Sequence, residues 1–348
     1  MKSLFAPVAL ILVAGLTVLS SISSGLFYQQ LLWAGLGIGL VFAFARLDWR
    51  TFFNHRAVIW GVYGLAVLLL AVAYFTSPVI RNTRSWIVLG PFTFQPVELA
   101  KIALILVYAQ FFSKRHLTVA RWSTIFISFL LFALPAGLTL LQPDMGSASV
   151  LFGIWFGFLL ASGLPGRRVL LALLFFAVLG AIGWQLVLED YQRERIMGVF
   201  YPEQNALTVN YSVIQSKIAV GSGGWFGKGY GQGTQTQLGY LTEPSNDFVL
   251  AALVEEWGMF MGLAVISAFI YLIFRILKVG ALAGQNFEKF FCLGTAMVFL
   301  LHFLLNTGST LGFMPVVGVT FPFLSYGGSS LLTNFFLLAI INAIARRA

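Results

Sequence analysis

Ten stretches of the chain are apolar over about the 20 residues that a helix needs to cross a hydrocarbon core about 30 Å thick. They lie near residues 4–19, 26–45, 57–75, 97–112, 125–141, 148–161, 169–188, 248–277, 287–305 and 331–344. None alternates polar and apolar positions as barrel strands do, and most are too long for such strands, so the pattern predicts helices. The expected fold is an all-α polytopic membrane protein of about ten transmembrane helices. The whole chain, 1–348, forms one integral membrane domain with one large extracellular loop, 189–247, between spans seven and eight. A connection that long is functional or partly structured by the usual loop lengths. The first run follows Lys2 and precedes the small residues of 20–25, which also fits a cleaved signal peptide. No A-x-A-like site stands there and nine more spans follow, so it reads as a span.

Composition sharpens this picture. Charged residues make up 9% of the 348 and hydrophobic residues 59%, with 35 Phe and a mean hydropathy of +0.89. A soluble domain carries about 25% charged residues, which excludes an ordinary water-soluble fold. One cysteine, Cys292, excludes an internal disulfide or a Cys cluster, and three scattered histidines (His55, His116, His302) make a His-built metal site a poor expectation. Cys292 reads as a small apolar filler and His302 as a packed, hydrogen-bonded residue.

The net charge of +9 would suit nucleic acid, but its distribution points elsewhere. Alternate loops hold fourteen Lys and Arg on one side and six on the other. By the positive-inside rule, both termini are cytoplasmic. Seven acidic residues lie in the outer loops and two in the inner ones, so the basic excess is a topology signal and no nucleic-acid partner is expected.

Ionisable groups at membrane depth are costly and mark function or pairing. Glu98 and Lys101 open the fourth span one turn apart, as an ion pair that lets the span insert or as a substrate or metal contact. Gln142-Pro143-Asp144-Met145-Gly146 turns between spans five and six, where Asp144 is a solvated turn residue, an N-cap or a site residue. Asp247 stands at or next to an outer helix N-terminus, which favours its ionised form, so it too is either a cap or a functional acid. Glu255 and Glu256 lie deeper on the same helix, and helical geometry makes Glu255 the better candidate to share a cavity with Asp247. Gln215-Ser216-Lys217 precedes a glycine-rich stretch, 221–231, that fails as a dinucleotide or P-loop motif for lack of a βαβ unit. It reads as a flexible loop, or as a backbone cradle for phosphate beside Lys217 and Lys228. Glu98, Lys101, Asp144 and Asp247 all fall near the outer leaflet, whereas a transporter site belongs at the midplane.

These motifs, in this order, resemble the SEDS family of bacterial cell-envelope proteins. The resemblance runs from about Arg81 to the C-terminus. It includes Gln95-Pro96-Val97-Glu98-Leu99-Ala100-Lys101, the Gln142–Gly146 turn, Gln215-Ser216-Lys217 with Gly221-Ser222-Gly223-Gly224, Asp247-Phe248 with Glu255-Glu256, and Leu324-Ser325-Tyr326-Gly327-Gly328-Ser329-Ser330 after Pro315. Gly233-Thr234-Gln235-Thr236-Gln237-Leu238 is similar to the elongation-type members more than to the division-type ones. The chain departs from the family at Val97, at Asn82 to Trp86, and in 241–247, where Thr242, Ser245 and Asn246 leave no histidine before Asp247.

The resemblance implies a peptidoglycan glycosyltransferase of the bacterial cytoplasmic (inner) membrane. Such an enzyme polymerises lipid II, a disaccharide-pentapeptide on undecaprenyl pyrophosphate, into glycan strands on the outer face during cell elongation. Asp247 would be the general base or a ligand of a divalent cation. Lys101, Lys217 and Arg84 would face the pyrophosphate, Glu98 would orient Lys101 or bind metal, and Gln142, Asp144, Gln215 and Glu255 would support the cavity. Oxygen donors suit Mg²⁺ or Mn²⁺, and no organic cofactor is expected. The expected partners are membrane lipids and a class B penicillin-binding transpeptidase. Two alternatives remain: a lipid II flippase, which needs access from both leaflets, and a non-catalytic scaffold for the transpeptidase.

Overall fold

The computed structural model describes residues 2–47, 53, 55–80, 83–90, 92–115, 121–186, 188–202 and 210–347. Asp48, Arg50, Arg81, Asn82, His116 and Glu203, used above for charge and motif comparison, lie outside them. The spans expected from hydropathy form helices: α1 (Lys2–Ile22), α2 (Ser24–Arg46), α3 (Arg56–Thr76), α4 (Pro96–Arg115), α5 (Trp122–Leu141), α6 (Met145–Ala161), α7 (Gly166–Leu186), α11 (Val249–Leu282), α12 (Asn286–Leu311) and α13 (Gly328–Ala345). The long connection between α7 and α11 carries α8 (Asp190–Phe200), α9 (Tyr211–Ser222) and the single turn α10 (Thr234–Gln237), so it is partly structured. Among the described residues nine helices are long and apolar enough to cross a membrane, and α6 is a shorter apolar one. The chain is a multi-pass membrane protein.

At the centre stands α4, buried along most of its length, with α3, α5, α6, α12 and α13 packed on it. Lipid supplies no hydrophobic drive between helices, so close approach through small residues matters. Gly153 and Gly157, one turn apart on α6, meet Leu301 and Met297 of α12 so closely that a Cβ at either would fall within 2.9 Å of that neighbour. On the periphery, α7 has no buried residue among those described; its Leu side chains and Phe175 face outward as lipid-facing side chains do, while Phe176 packs against Phe152 and Trp155 of α6.

Two features depart from the sequence expectation. Before α4, Ile87–Leu89 (β1) and Phe92–Phe94 (β2) pair antiparallel, with Ile87 opposite Phe94, in a hairpin too short to leave a periodic signal. The second lies in α11, which breaks at Gly258 (φ 82°), a conformation that a residue with a Cβ would resist. After α12, Gly312 turns the chain out of the helix (φ 76°) and residues 313–327 run without regular structure, burying Val319, Phe321, Phe323 and Leu324. Irregular backbone within a membrane protein is tolerated where it is buried in protein or lines a cavity; Pro322 is buried and Pro315 is half-buried at a small cleft.

Candidate active site

A cavity of about 290 Å³ opens where the hairpin, the starts of α4 and α6, α12, the 313–327 segment and the residues before α11 converge. Glu98, Lys101 and Asp247 all line it. Glu98 and Lys101 are 4% and 3% exposed on the first turns of α4, and Lys101 Nζ donates to Glu98 Oε1 at 2.8 Å. The second oxygen, Glu98 Oε2, is buried with no hydrogen-bond donor among the described residues. A buried carboxylate oxygen without a donor is costly, and it is a natural place for a ligand to bind.

Asp247 stands just before α11, whose N-cap residue is Phe248. Its position is held from the backbone. Asn306 Nδ2 of α12 donates to the Asp247 carbonyl at 3.1 Å and to the Val319 carbonyl at 2.9 Å. One residue earlier, the Asn246 carbonyl accepts from Ser325 Oγ at 2.7 Å, and the Tyr326 N–H donates to the Ser245 carbonyl at 2.8 Å. The segment before α11 is thus stitched to the 313–327 segment, and both face the cavity. The Tyr326 hydroxyl donates to Gln29 Oε1, another lining residue.

The remaining expected residues fall in other places. Asp144 is the N-cap of α6, accepting from Ser147 N at 2.9 Å and Ser147 Oγ at 2.7 Å, and it also takes a bond from Gln95 Nε2 at 3.2 Å. Gln95 and Ser147 line the cavity, so Asp144 acts one layer behind it. Gln142 is buried and donates to the Leu70 carbonyl at 2.7 Å, which joins α5 to α3. Arg84 is exposed, with its backbone N–H 3.4 Å from the Gln142 carbonyl, and does not line the cavity. Lys217 lines a separate small cleft with Arg195, Asn210 and Gly312, and Gln215 lines neither cavity.

Glu255 corrects the expectation that it shares the Asp247 cavity. It is fully buried and faces the long connection before α11, where five donors surround it: Lys228 Nζ, Thr234 Oγ1 and Gln235 N on Oε1, and Thr236 N and Thr236 Oγ1 on Oε2. Helical angle fixes directions relative to Asp247 but not which side the loop covers. The glycine-rich stretch is bonded to the break in α11 rather than standing free as a loop. Where α11 breaks, Lys228 N and Gly229 N donate to the Glu255 and Glu256 carbonyls, and Met259 N and Phe260 N donate to the Gly224 and Trp225 carbonyls. The stretch is a splice that satisfies the broken helix, and the Lys228 and Gly229 amides are spent on it.

Most lining residues lie outside the expected set, among them the polar side chains of Gln95 and His302. Their signal was available for His302: with Asn306 it puts two polar groups one turn apart on an apolar helix.

A cavity near the ends of several membrane helices, its wall mostly apolar but bearing two carboxylates and a lysine, suits a membrane enzyme acting on a substrate with both polar and apolar parts. The family model FTSW_RODA_SPOVE, described as "Cell cycle protein", matches residues 3–348, and the chain belongs to this family. It is 34% identical over 310 residues to peptidoglycan glycosyltransferase MrdB of Escherichia coli (strain K12), covering 88% of this chain and 82% of that one. It is 33% identical over 328 residues to stage V sporulation protein E of Bacillus subtilis (strain 168), covering 91% and 86%. A chain from a peptidoglycan synthase complex that coordinates polymerization and crosslinking superposes with a TM-score of 0.87 at 30% identity, covering 100% of this chain and 98% of that one. The rod shape determining protein RodA of Thermus thermophilus superposes with a TM-score of 0.74 at 30% identity, covering 99% and 96%.

Proposed function

We propose that this chain is a peptidoglycan glycosyltransferase that joins lipid II units into glycan at the outer face of the bacterial cytoplasmic membrane during cell elongation, with both termini in the cytoplasm. The observation that carries the assignment of roles is the meeting of Glu98, Lys101 and Asp247 in one cavity. Chain growth requires a base to take the proton from the acceptor hydroxyl as the bond between the donor sugar and its pyrophosphate breaks, and positive charge to receive the leaving group. Asp247 takes the proton. Lys101, held by Glu98, faces the pyrophosphate. Leu32, Trp33, Ile80 and Trp86 supply the apolar part of the wall.

No three His, Cys, Asp or Glu side chains gather as a metal site among the described residues. Mg²⁺ commonly takes one or two carboxylates and completes its shell with substrate phosphate oxygens and water, so Asp247 and the open Glu98 Oε2 fit such an ion. A bound cation would neutralise charge on the pyrophosphate. The kinship with a chain from a synthase complex supports a crosslinking partner, proposed as a class B penicillin-binding transpeptidase.

The test is glycan synthesis by the purified full-length protein from lipid II with Mg²⁺. Wild type is expected to make polymer, and Asp247→Asn to slow it by about 10²–10⁴-fold. No polymer from folded wild type would overturn the function; equal polymer from the variant would overturn the role of Asp247.

A further inference from the structure

Lys101 Nζ has a second anchor besides Glu98. His302 Nε2 lies 3.0 Å from it, and the other ring nitrogen, Nδ1, lies 2.9 Å from the Thr320 carbonyl. A carbonyl oxygen only accepts, so Nδ1 carries the proton and Nε2 presents its lone pair to the lysine. The ammonium has three N–H groups. One goes to Glu98 and one to His302, which leaves the third for whatever enters the cavity. His302 is 3% exposed and lines the same cavity, on α12, whereas Glu98 reaches Lys101 from one turn back on α4. A lysine otherwise swings freely on a four-carbon stem, and two anchors from different helices remove that freedom.

We propose that His302 is a positioning residue for the glycosyl transfer: in the tautomer imposed by the Thr320 carbonyl, it accepts from Lys101 and aims the remaining ammonium N–H at the anionic leaving group. This rests on the glycosyltransferase reading and names a group that sets where the Lys101 charge sits. Thr320 belongs to the segment whose Gly318 and Val319 also line the cavity, so the relay Thr320–His302–Lys101–Glu98 ties three walls together.

Two near-isosteric substitutions separate positioning from packing. His302→Gln carries an amide oxygen out to the place of Nε2, where it accepts from Lys101. His302→Asn carries an amide donor to the place of Nδ1–H and leaves Lys101 without its acceptor. The measurement is kcat and KM for lipid II with the full-length protein and Mg²⁺, alongside melting midpoints. Small misplacements of a charged group cost about 100-fold, so kcat is expected to fall by that much in His302→Asn and His302→Ala. In His302→Gln it should stay within about threefold, and KM should shift by less than about threefold throughout, because the charge develops in the transition state. Equal losses in the Gln and Asn variants, or wild-type kcat in His302→Ala, would overturn the proposal while wild type remains active. If His302→Ala does not fold, the Gln–Asn pair decides. Folded wild type that makes no polymer is the separate outcome that removes the functional reading and this proposal with it.

Discussion

Lys101 meets Glu98 at 2.8 Å and Lys228 meets Glu255 at 2.9 Å, each glutamate being buried. On α4, Glu98 uses one oxygen for its lysine and leaves the other without a donor, beside a cavity. On α11, both oxygens of Glu255 are saturated by a lysine, two threonine hydroxyls and two backbone amides of the connection before that helix. The distances are nearly alike and both glutamates are buried, so neither tells the two carboxylates apart, although Lys228 is 25% exposed and Lys101 only 3%. The count of donors does: a saturated carboxylate fixes a fold, and one with an open oxygen is prepared for a ligand.

The widest effect on this contrast comes from Lys101→Met, which removes the cation from the cavity at similar volume. Polymer synthesis is expected to fall by about 10³-fold, read from glycan yield on lipid II. Next is Gly258→Ala in the other region. At φ 82° an added Cβ would lie 2.3 Å from the Trp225 carbonyl oxygen and 2.5 Å from Gly227 N, breaking the splice that holds the loop around Glu255. A loss of about 3 kcal/mol is expected, with early proteolysis within 221–247 as the check. Smallest is Asp144→Ala, which removes the cap of α6 and releases Gln95. About 1 kcal/mol should be lost in thermal unfolding, and Asp144→Asn, which still accepts from Ser147, should recover most of it.

The sequence showed the spans because the bilayer imposes a length and a polarity that few other environments demand. It showed Glu98, Lys101 and Asp247 because charge at membrane depth must have a reason. Other features depend on which surfaces meet, and one chain's periodicity does not encode that. The hairpin 87–94 has strands of three residues, the break in α11 needs the glycine stretch beside it, and Glu255 turns toward a loop that a helical wheel does not contain. Lys217 and Arg84 were grouped with the site by charge and motif, yet one lines a separate cleft and the other is exposed. His302 passed as packing because a lone histidine in an apolar helix usually is packing.

The most direct test compares Glu98→Gln with Glu255→Gln in one membrane preparation, measuring melting midpoint and polymer synthesis per folded molecule. The account predicts that Glu98→Gln keeps its midpoint and loses about 100-fold in rate, since it weakens the hold on Lys101. Glu255→Gln should lose its midpoint, while the molecules that remain folded polymerise near the wild-type rate. The reverse pattern, or two variants whose activity simply follows their folded fraction, would contradict it.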